Sequence, residues 1–198
     1  DGMCQEVVEI LKRKPSMEQW RHALKIIHCM SSKGENYPAL NSNHITPLIR
    51  LMTLPNLSIA LETTKSVASI AGESARLRDL VLQSNVLGAL KTLCGKLKNL
   101  PISFVRVLSV TFGSICSHTG SKVSLELHDV MVQCLFQLLQ FQDHEVCKSA
   151  IGALVGITCE SSNESAQRQI VLDSGILPLV FKHLSDDCDN MMELALSV

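Results

Sequence analysis

Aromatic residues are scarce in this chain: they make up 4% of its 198 residues, although 46% are hydrophobic. Aliphatic and small side chains must therefore form most of the core, a mix that favours close helix-on-helix packing. Net charge is also nearly absent, with a formal value of −1 at pH 7. Nucleic acids and anionic membranes both need a concentrated basic surface, so we expect neither as a direct partner.

Long apolar runs are missing as well. No run approaches the roughly 18 residues of a membrane span, and residues 1–10 lack the basic and apolar regions of a signal peptide. These absences predict an intracellular protein. The chain starts without Met and ends on ELALSV inside a helical pattern, so we expect it to be a piece of something longer.

Patterns that carry catalytic or metal chemistry are missing too. The eight cysteines contain no C-x-x-C, and most lie in apolar helical segments; they are predicted to be reduced core residues, with a zinc site or a disulfide framework as the alternative. His22, His28 and Cys29 could approach one another on a helix, but surface exposure or packing is favoured over a metal site. The lone Trp20 is assigned to packing. We expect no enzyme, metal or cofactor.

What the chain does have is a repeat. Four segments with paired aliphatic residues start at Ile45, Val86, Val130 and Ile176, spaced by 41, 44 and 46 residues. This spacing is typical of helical repeats with a period of about 40–47 residues. A longer helix is predicted after each segment, at 57–71, 102–117, 145–159 and 190–198, with an earlier copy at 17–31. Short helices are predicted at 76–83 and 167–174.

The clearest unit is residues 58–82, where one helix is expected to break at Gly72 and the next to start at Ala75. Asn56, Ser58 and Asp143 are predicted N-caps. The repeats are placed at 1–33, 34–74, 75–119, 120–160 and 161–198, the last one truncated, within a single domain. A non-repeating helical bundle is the alternative.

This repeat pattern resembles that of one protein family. Residues 69–90, SIAGESARLRDLVLQSNVLGAL, are similar to an armadillo repeat of the importin-α (karyopherin-α) type, in which the third helix ends in a segment such as N-I-A-G-D and R-D-x-V follows. Residues 106–116 and 148–158 are similar to the long helices of the family's fourth and fifth repeats. The resemblance covers most of the chain and implies an all-α, right-handed superhelical solenoid of armadillo repeats.

In that family each long third helix lines a concave groove and carries a Trp and, four residues later, an Asn, so both lie on one helical face. The Asn holds the backbone of an extended peptide, and the Trp rings flank the stems of its Lys and Arg residues. Here the Trp positions correspond to Lys25, Lys65, Val110 and Gly152, and the Asn positions to Cys29, Ser69, Ser114 and Gly156. Gly72, Glu73 and Arg106 match the family's groove residues.

These eleven residues are the candidate groove, and its Trp–Asn ladder is absent. Losing a Trp–cation contact of about 1 kcal/mol and an Asn hydrogen bond of about 1 kcal/mol in each of three repeats removes about 6 kcal/mol, or roughly ten-thousandfold in affinity. Lys25 and Lys65 would also repel a basic peptide. We therefore expect this chain not to read basic import signals by the usual ladder.

Two functions follow from the resemblance. The first is a nuclear-import adaptor of importin-α type with a degenerate basic-signal groove, cytoplasmic and nuclear, with a protein or peptide partner and a transport carrier bound through a segment outside this fragment. The second is an armadillo scaffold that binds a partner segment in signalling, adhesion or complex assembly, with no transport role. Exposed terminal repeats also make self-association an expectation.

Overall fold

The computed structural model describes residues 7, 9–10, 16–31, 40–117, 125–158 and 164–186. No β-strand occurs in this part of the chain. Its helices are numbered α1 to α10 in chain order, and a 3-10 turn lies at Leu97–Asn99. The helices are Met17–Ser31, Ser42–Met52, Leu57–Glu73, Ala75–Gln83, Val86–Cys94, Ile102–Cys116, Leu125–Leu138, His144–Thr158, Glu164–Asp173 and Leu177–Asp186.

Two compact units divide the chain, Asp1–Leu93 and Cys94–Val198. In the first, α3 packs against α1, α2 and α4; in the second, α8 packs against α6, α7 and α9. The long helices are thus central to each unit. Their apolar faces recur at three- and four-residue spacing, as at Val67, Ile70 and Ala71 of α3, which are all buried. Whether the whole chain forms one domain, and where its repeats begin and end, stay predictions.

Side-chain caps start several of the helices. Asn56 Oδ1 accepts hydrogen bonds from the backbone N–H groups of Ser58 and Ile59, at 3.1 and 3.3 Å, and Asp143 Oδ1 accepts from the Val146 N–H at 3.1 Å. The predicted caps Asn56 and Asp143 are confirmed. Ser58 is instead inside α3, because Asn56 already occupies the capping position.

The predicted break at Gly72 is wrong by two residues. Helix α3 continues to Glu73, and the chain turns at Ser74, whose φ of −163° and ψ of 159° are extended. Ser74 Oγ accepts a hydrogen bond from the Leu77 N–H at 3.3 Å and so caps α4. The break therefore lies at Ser74, the residue that can cap the next helix. Gly72 stays inside α3, because a glycine is tolerated inside a helix at a modest cost.

The described core is mostly aliphatic, as the composition predicts, with Phe104 and Phe112 as fully buried aromatic residues. Trp20 is 5% exposed, which confirms that it is a packing residue. Four cysteines are buried and reduced, namely Cys94, Cys116, Cys134 and Cys147, whereas Cys29 is exposed on α1. Cys4, Cys159 and Cys188, and the predicted helix at 190–198, lie outside the described residues. Among the helices that the structure describes, none is long and apolar enough to cross a membrane.

Candidate functional site

An open cleft of about 620 Å³ lies between α1 and α3 in the first unit. Residues at helical spacing on each helix face it, because side chains three and four positions apart share one face. Helix α1 contributes Arg21, Leu24, Lys25 and Cys29, and α3 contributes Glu62, Lys65, Ser66 and Ser69. The structure therefore brings together Lys25, Cys29, Lys65 and Ser69, four of the six groove residues predicted on these two helices.

The floor of the cleft is set by the packing of the same helices. Leu24 is buried, and Ile27 and Val67 turn away from the cleft into the core of the unit. Ser66 Oγ donates to the Glu62 carbonyl at 3.0 Å, so its hydroxyl hydrogen is used within α3. Ser66 lines the cleft, and its hydroxyl oxygen can still accept a hydrogen bond.

The charges in the cleft are mostly positive. Lys65 Nζ lies 2.8 Å from Glu62 Oε1, and the two side chains are 50% and 47% exposed. Within the described residues, no carboxylate lies within 4 Å of the Arg21 or Lys25 side chains. The described lining of the cleft contains three cations and one carboxylate, so its field favours negative charge.

Gly72 and Glu73 lie apart from this cleft. Both are exposed at the C-terminal end of α3, and neither lines the cleft wall. These two residues match the family's groove residues, but here they lie at the end of the helix and outside the cleft. Whether they contact a ligand stays a prediction.

Arg106 of the second unit is held in an ion pair. Its Nη2 lies 2.8 Å from Asp143 Oδ2, and its Nε lies 3.1 and 3.2 Å from the two carboxylate oxygens. The hydrogen bonds from Arg106 are the main cause that lowers the pKa of Asp143, and the same pairing raises the pKa of Arg106. Because Asp143 also caps α8, Arg106 links the start of α6 to the start of α8.

The remaining candidates lie on α6 and α8. Val110 is 50% exposed, and Ser114 is half-buried. A Cβ built on Gly152 would meet no heavy atom within 4 Å, so this position is open. A Cβ on Gly156 would lie 2.5 Å from the Cys116 carbonyl oxygen. Gly156 is thus a close-packing residue between α6 and α8, and it has no room for the side chain that a groove position needs.

Three charged or polar lining residues were missed by sequence reasoning, namely Arg21, Glu62 and Ser66. Two of them could have been found from the register alone. Arg21 lies four residues before Lys25, and Glu62 lies three residues before Lys65, so each is on the same helical face one turn earlier. Comparing only the Trp and Asn positions of each helix leaves out the residues one helical turn earlier.

No other described cluster has the features of a catalytic or metal site. Among these residues, no group of three His, Cys, Asp or Glu side chains could hold a metal ion; His22 and Cys29 are exposed on α1, and the side chain of His28 lies outside the described part. Cys147 Sγ lies 3.5 Å from His183 Nε2, but burial raises the pKa of this thiol. A nucleophilic cysteine needs a lowered pKa.

Comparison with known proteins gives related sequences and solved structures. No protein-family model matches the chain. The chain is 29% identical over 196 residues to importin subunit alpha-2 of Caenorhabditis elegans, an alignment that covers 98% of the chain and 36% of the relative. It is 24% identical over 180 residues to importin subunit alpha-1b of Oryza sativa subsp. japonica, covering 89% and 32%. It thus spans about a third of the length of these curated relatives.

The solved structures establish the fold. A designed armadillo repeat protein, YIII(Dq)4CqI, superimposes with a TM-score of 0.79 at 18% identity, covering 97% of this chain and 79% of the design. A second design, YIII(Dq.V1)4CPAF in complex with the peptide (KR)4, gives 0.76 at 20% identity, covering 97% and 78%. The chain therefore has the armadillo-repeat fold, and its sequence is similar to importin α subunits. The predicted fold class, an all-α solenoid of armadillo repeats, is confirmed.

The position of the cleft agrees with the similarity to importin α subunits. Its walls are the two helices whose Trp and Asn positions are Lys25, Cys29, Lys65 and Ser69. The cleft therefore forms where the sequence resemblance implies a groove, while the side chains that line it are different. No aromatic residue is among the described residues that line it.

Proposed function

We propose that this protein is a non-enzymatic binding protein that holds an extended polypeptide segment in the cleft between α1 and α3. The observation that carries the proposal is that the cleft contains four of the six groove positions predicted on these helices. The similarity to importin subunits over nearly the whole chain and to a designed armadillo protein bound to a peptide supports it.

Cys29 allows this proposal to be tested at the cleft itself. Octapeptides that bind the chain are first selected from a random library, and their dissociation constants are measured before and after alkylation with a bulky maleimide. Cys29 is the exposed member of the described cysteines, so we expect its modification to block the cleft and to weaken binding at least tenfold.

A matched control identifies the modified thiol. The dissociation constants of Cys29→Ser are measured as its own baseline, and they should not change on treatment with the maleimide. The proposal fails if no octapeptide binds, or if the selected peptides bind equally well after Cys29 is modified.

For the cellular role, we propose a nuclear-import adaptor of importin-α type with a degenerate basic-signal groove, present in cytoplasm and nucleus. A transport carrier would bind through a segment outside residues 1–198. The sequence similarity to two importin α subunits supports this role. An armadillo scaffold without transport activity is the second candidate, favoured by the absence of the Trp–Asn ladder from a cleft that is otherwise present.

Import in permeabilised cells separates the two roles. The full-length protein is supplied with a transport carrier and a fluorescent cargo fused to a selected octapeptide. An adaptor should bring the cargo into nuclei, and the alkylated protein should not. If the cargo binds but stays outside the nuclei, the scaffold role is supported and the adaptor role is rejected.

A further inference from the structure

We propose that the cleft between α1 and α3 selects an acidic polypeptide segment and rejects a basic one. This inference rests on the proposed function, because it names the class of partner for the same cleft. It comes from the arrangement of charge among Arg21, Lys25, Glu62 and Lys65, the four charged residues that line the cleft.

The carboxylate of Glu62 is already matched. It lies 2.8 Å from Lys65 Nζ on the same helix, so this pair carries little net charge. Arg21 and Lys25 then remain as the uncompensated charges, since no described carboxylate lies within 4 Å of either. The cleft therefore holds two positive charges that its own walls do not neutralise.

These two cations are also placed unfavourably with respect to each other. Arg21 and Lys25 are exposed and four residues apart on α1, a spacing at which like charges destabilise a helix. An anion bound between them would relieve this repulsion, whereas a cation would add to it. A bound carboxylate can also accept two hydrogen bonds from the planar Arg21 guanidinium.

The uncharged lining favours the same class of partner. The lining residues Leu24, Cys29, Ser66 and Ser69 are small or aliphatic, and the part of the cleft that the structure describes has no aromatic residue. The stem of a Lys or Arg residue would thus find no ring to stack on. The serine side chains leave room for short Asp and Glu residues to approach the cations on the opposite wall.

A polypeptide fits this charge better than a nucleic acid does. Nucleic-acid affinity depends on neutralising many phosphates along a basic surface. Here the formal net charge of the chain is −1, and the cleft has two uncompensated cations. Two such charges match a short run of Asp and Glu residues.

Three octapeptides of equal length test the preference: (ED)4, (SN)4 and (KR)4. In 50 mM NaCl we expect (ED)4 to bind at least tenfold more tightly than either of the others. The preference should shrink in 500 mM NaCl, because salt screens exposed charges. Equal or tighter binding of (SN)4 or (KR)4, blocked by Cys29 alkylation, would overturn the charge preference and leave the proposed function standing.

Charge reversal adds a matched control. The double variant Lys25→Glu/Lys65→Glu should bind (KR)4 more tightly than (ED)4. Lys91→Glu/Lys98→Glu changes the net charge equally at exposed positions outside the cleft and should keep the original order. Thermal melts establish that both variants fold. Tighter binding of the oligonucleotide dT8 than of (ED)4 would also overturn the inference.

A readout without any peptide measures the field directly. Methanethiosulfonate reagents of opposite charge react with Cys29, and mass spectrometry of the Cys29 peptide gives the two rates. Relative to the same ratio for N-acetylcysteine amide, we expect the anionic reagent to be favoured at least threefold at Cys29, and the advantage to disappear in Lys25→Glu/Lys65→Glu. An unchanged ratio rejects the electrostatic argument even if no octapeptide binds and the proposed function fails.

Discussion

Two glycines of α8 differ in what surrounds them, and this difference predicts opposite effects of the same substitution. Gly152→Ala should raise the free energy of unfolding by about 0.5–1 kcal/mol, because the position is open and alanine favours helix. Gly156→Ala should lower it by about 1–3 kcal/mol, because the new Cβ would lie 2.5 Å from the Cys116 carbonyl oxygen.

Urea denaturation of the two variants measures this. Each serves as the control for the other, since the helix and the substitution are the same. A stabilised Gly156→Ala would mean that α6 and α8 can separate at little cost, and it would return Gly156 to the set of possible groove positions.

His128 of α7 predicts a loss of stability in acid. It is 0% exposed, and neither ring nitrogen makes a well-formed hydrogen bond to a described residue, although the Ile157 backbone lies close enough to affect its pKa. Burial lowers its pKa below 6.5, opposed by the Ile157 backbone and by Asp129. Since the folded state disfavours the charged form, its stabilising contribution is complete above about pH 6.5 and is lost as the pH falls below that value.

Thermal unfolding between pH 7.5 and 5 tests this. One such group contributes at most about 1.4 kcal/mol per pH unit, and His128→Leu should make the fall shallower. Part of the fall in stability should remain in His128→Leu, because burial also lowers the pKa of His44. A pH profile as steep in His128→Leu as in the parent chain would contradict the assignment.

Between helices, Asp143 has two separable roles. It caps α8 through the Val146 N–H and pairs with Arg106 of α6. Asp143→Ala removes both and should lower the free energy of unfolding by about 1 kcal/mol for the cap alone. Asp143→Asn keeps a capping side chain and loses the charge, so its effect at pH 7 should be smaller.

The pH dependence distinguishes the ion pair from the cap. The pKa of Asp143 is lowered, first by the hydrogen bonds from Arg106, so the pair stabilises the fold above the unfolded-state value of about 3.9 and is lost as the pH falls through the lowered pKa. The difference in urea midpoint between the parent chain and Asp143→Asn should therefore be smaller at pH 3 than at pH 7. A constant gap between them would show that the ion pair adds nothing.

The helices themselves were predictable to a large extent, because their signals are local. Apolar spacing located α1 and the long helices near their observed bounds, and Asn56 and Asp143 mark starts that the structure confirms. The break at Gly72 was misplaced because the decisive residue is Ser74, whose hydroxyl caps the next helix. Contacts between helices carry no local signal, so neither the pairing of Arg106 with Asp143 nor the close approach at Gly156 followed from the sequence.

The cleft shows the same limit. The resemblance located four of its lining residues. Lys25 and Cys29 lie four positions apart on one helical face, and so do Lys65 and Ser69. It did not provide the balance of charge, which depends on Arg21 and on the pairing of Glu62 with Lys65 across one turn. The ladder positions alone predict that the cleft does not bind a basic signal. The inference of an acidic segment also needs Arg21 and Glu62, which lie one helical turn earlier.

For the function of the molecule, the sharpest expectation is that a ladder can be rebuilt in this cleft. The variant Lys25→Trp, Cys29→Asn, Lys65→Trp, Ser69→Asn removes two cations and adds two Trp–Asn pairs. At about 1 kcal/mol for each Trp–cation contact and each Asn hydrogen bond, affinity for (KR)4 should rise by about a thousandfold. Glu62 would also lose its partner Lys65 and could pair with the peptide.

Isothermal titration with (KR)4 measures the gain, and Lys25→Ala/Lys65→Ala provides the control. This second variant removes the same charges without building a ladder, so it should recover only the electrostatic part, about tenfold. If the two variants bind (KR)4 equally, the aromatic and amide groups contribute nothing here, and the charge of the cleft alone determines which segment it holds. If the ladder variant exceeds its control as expected, the backbone positions of α1 and α3 already suit an extended peptide, and only the side chains have changed.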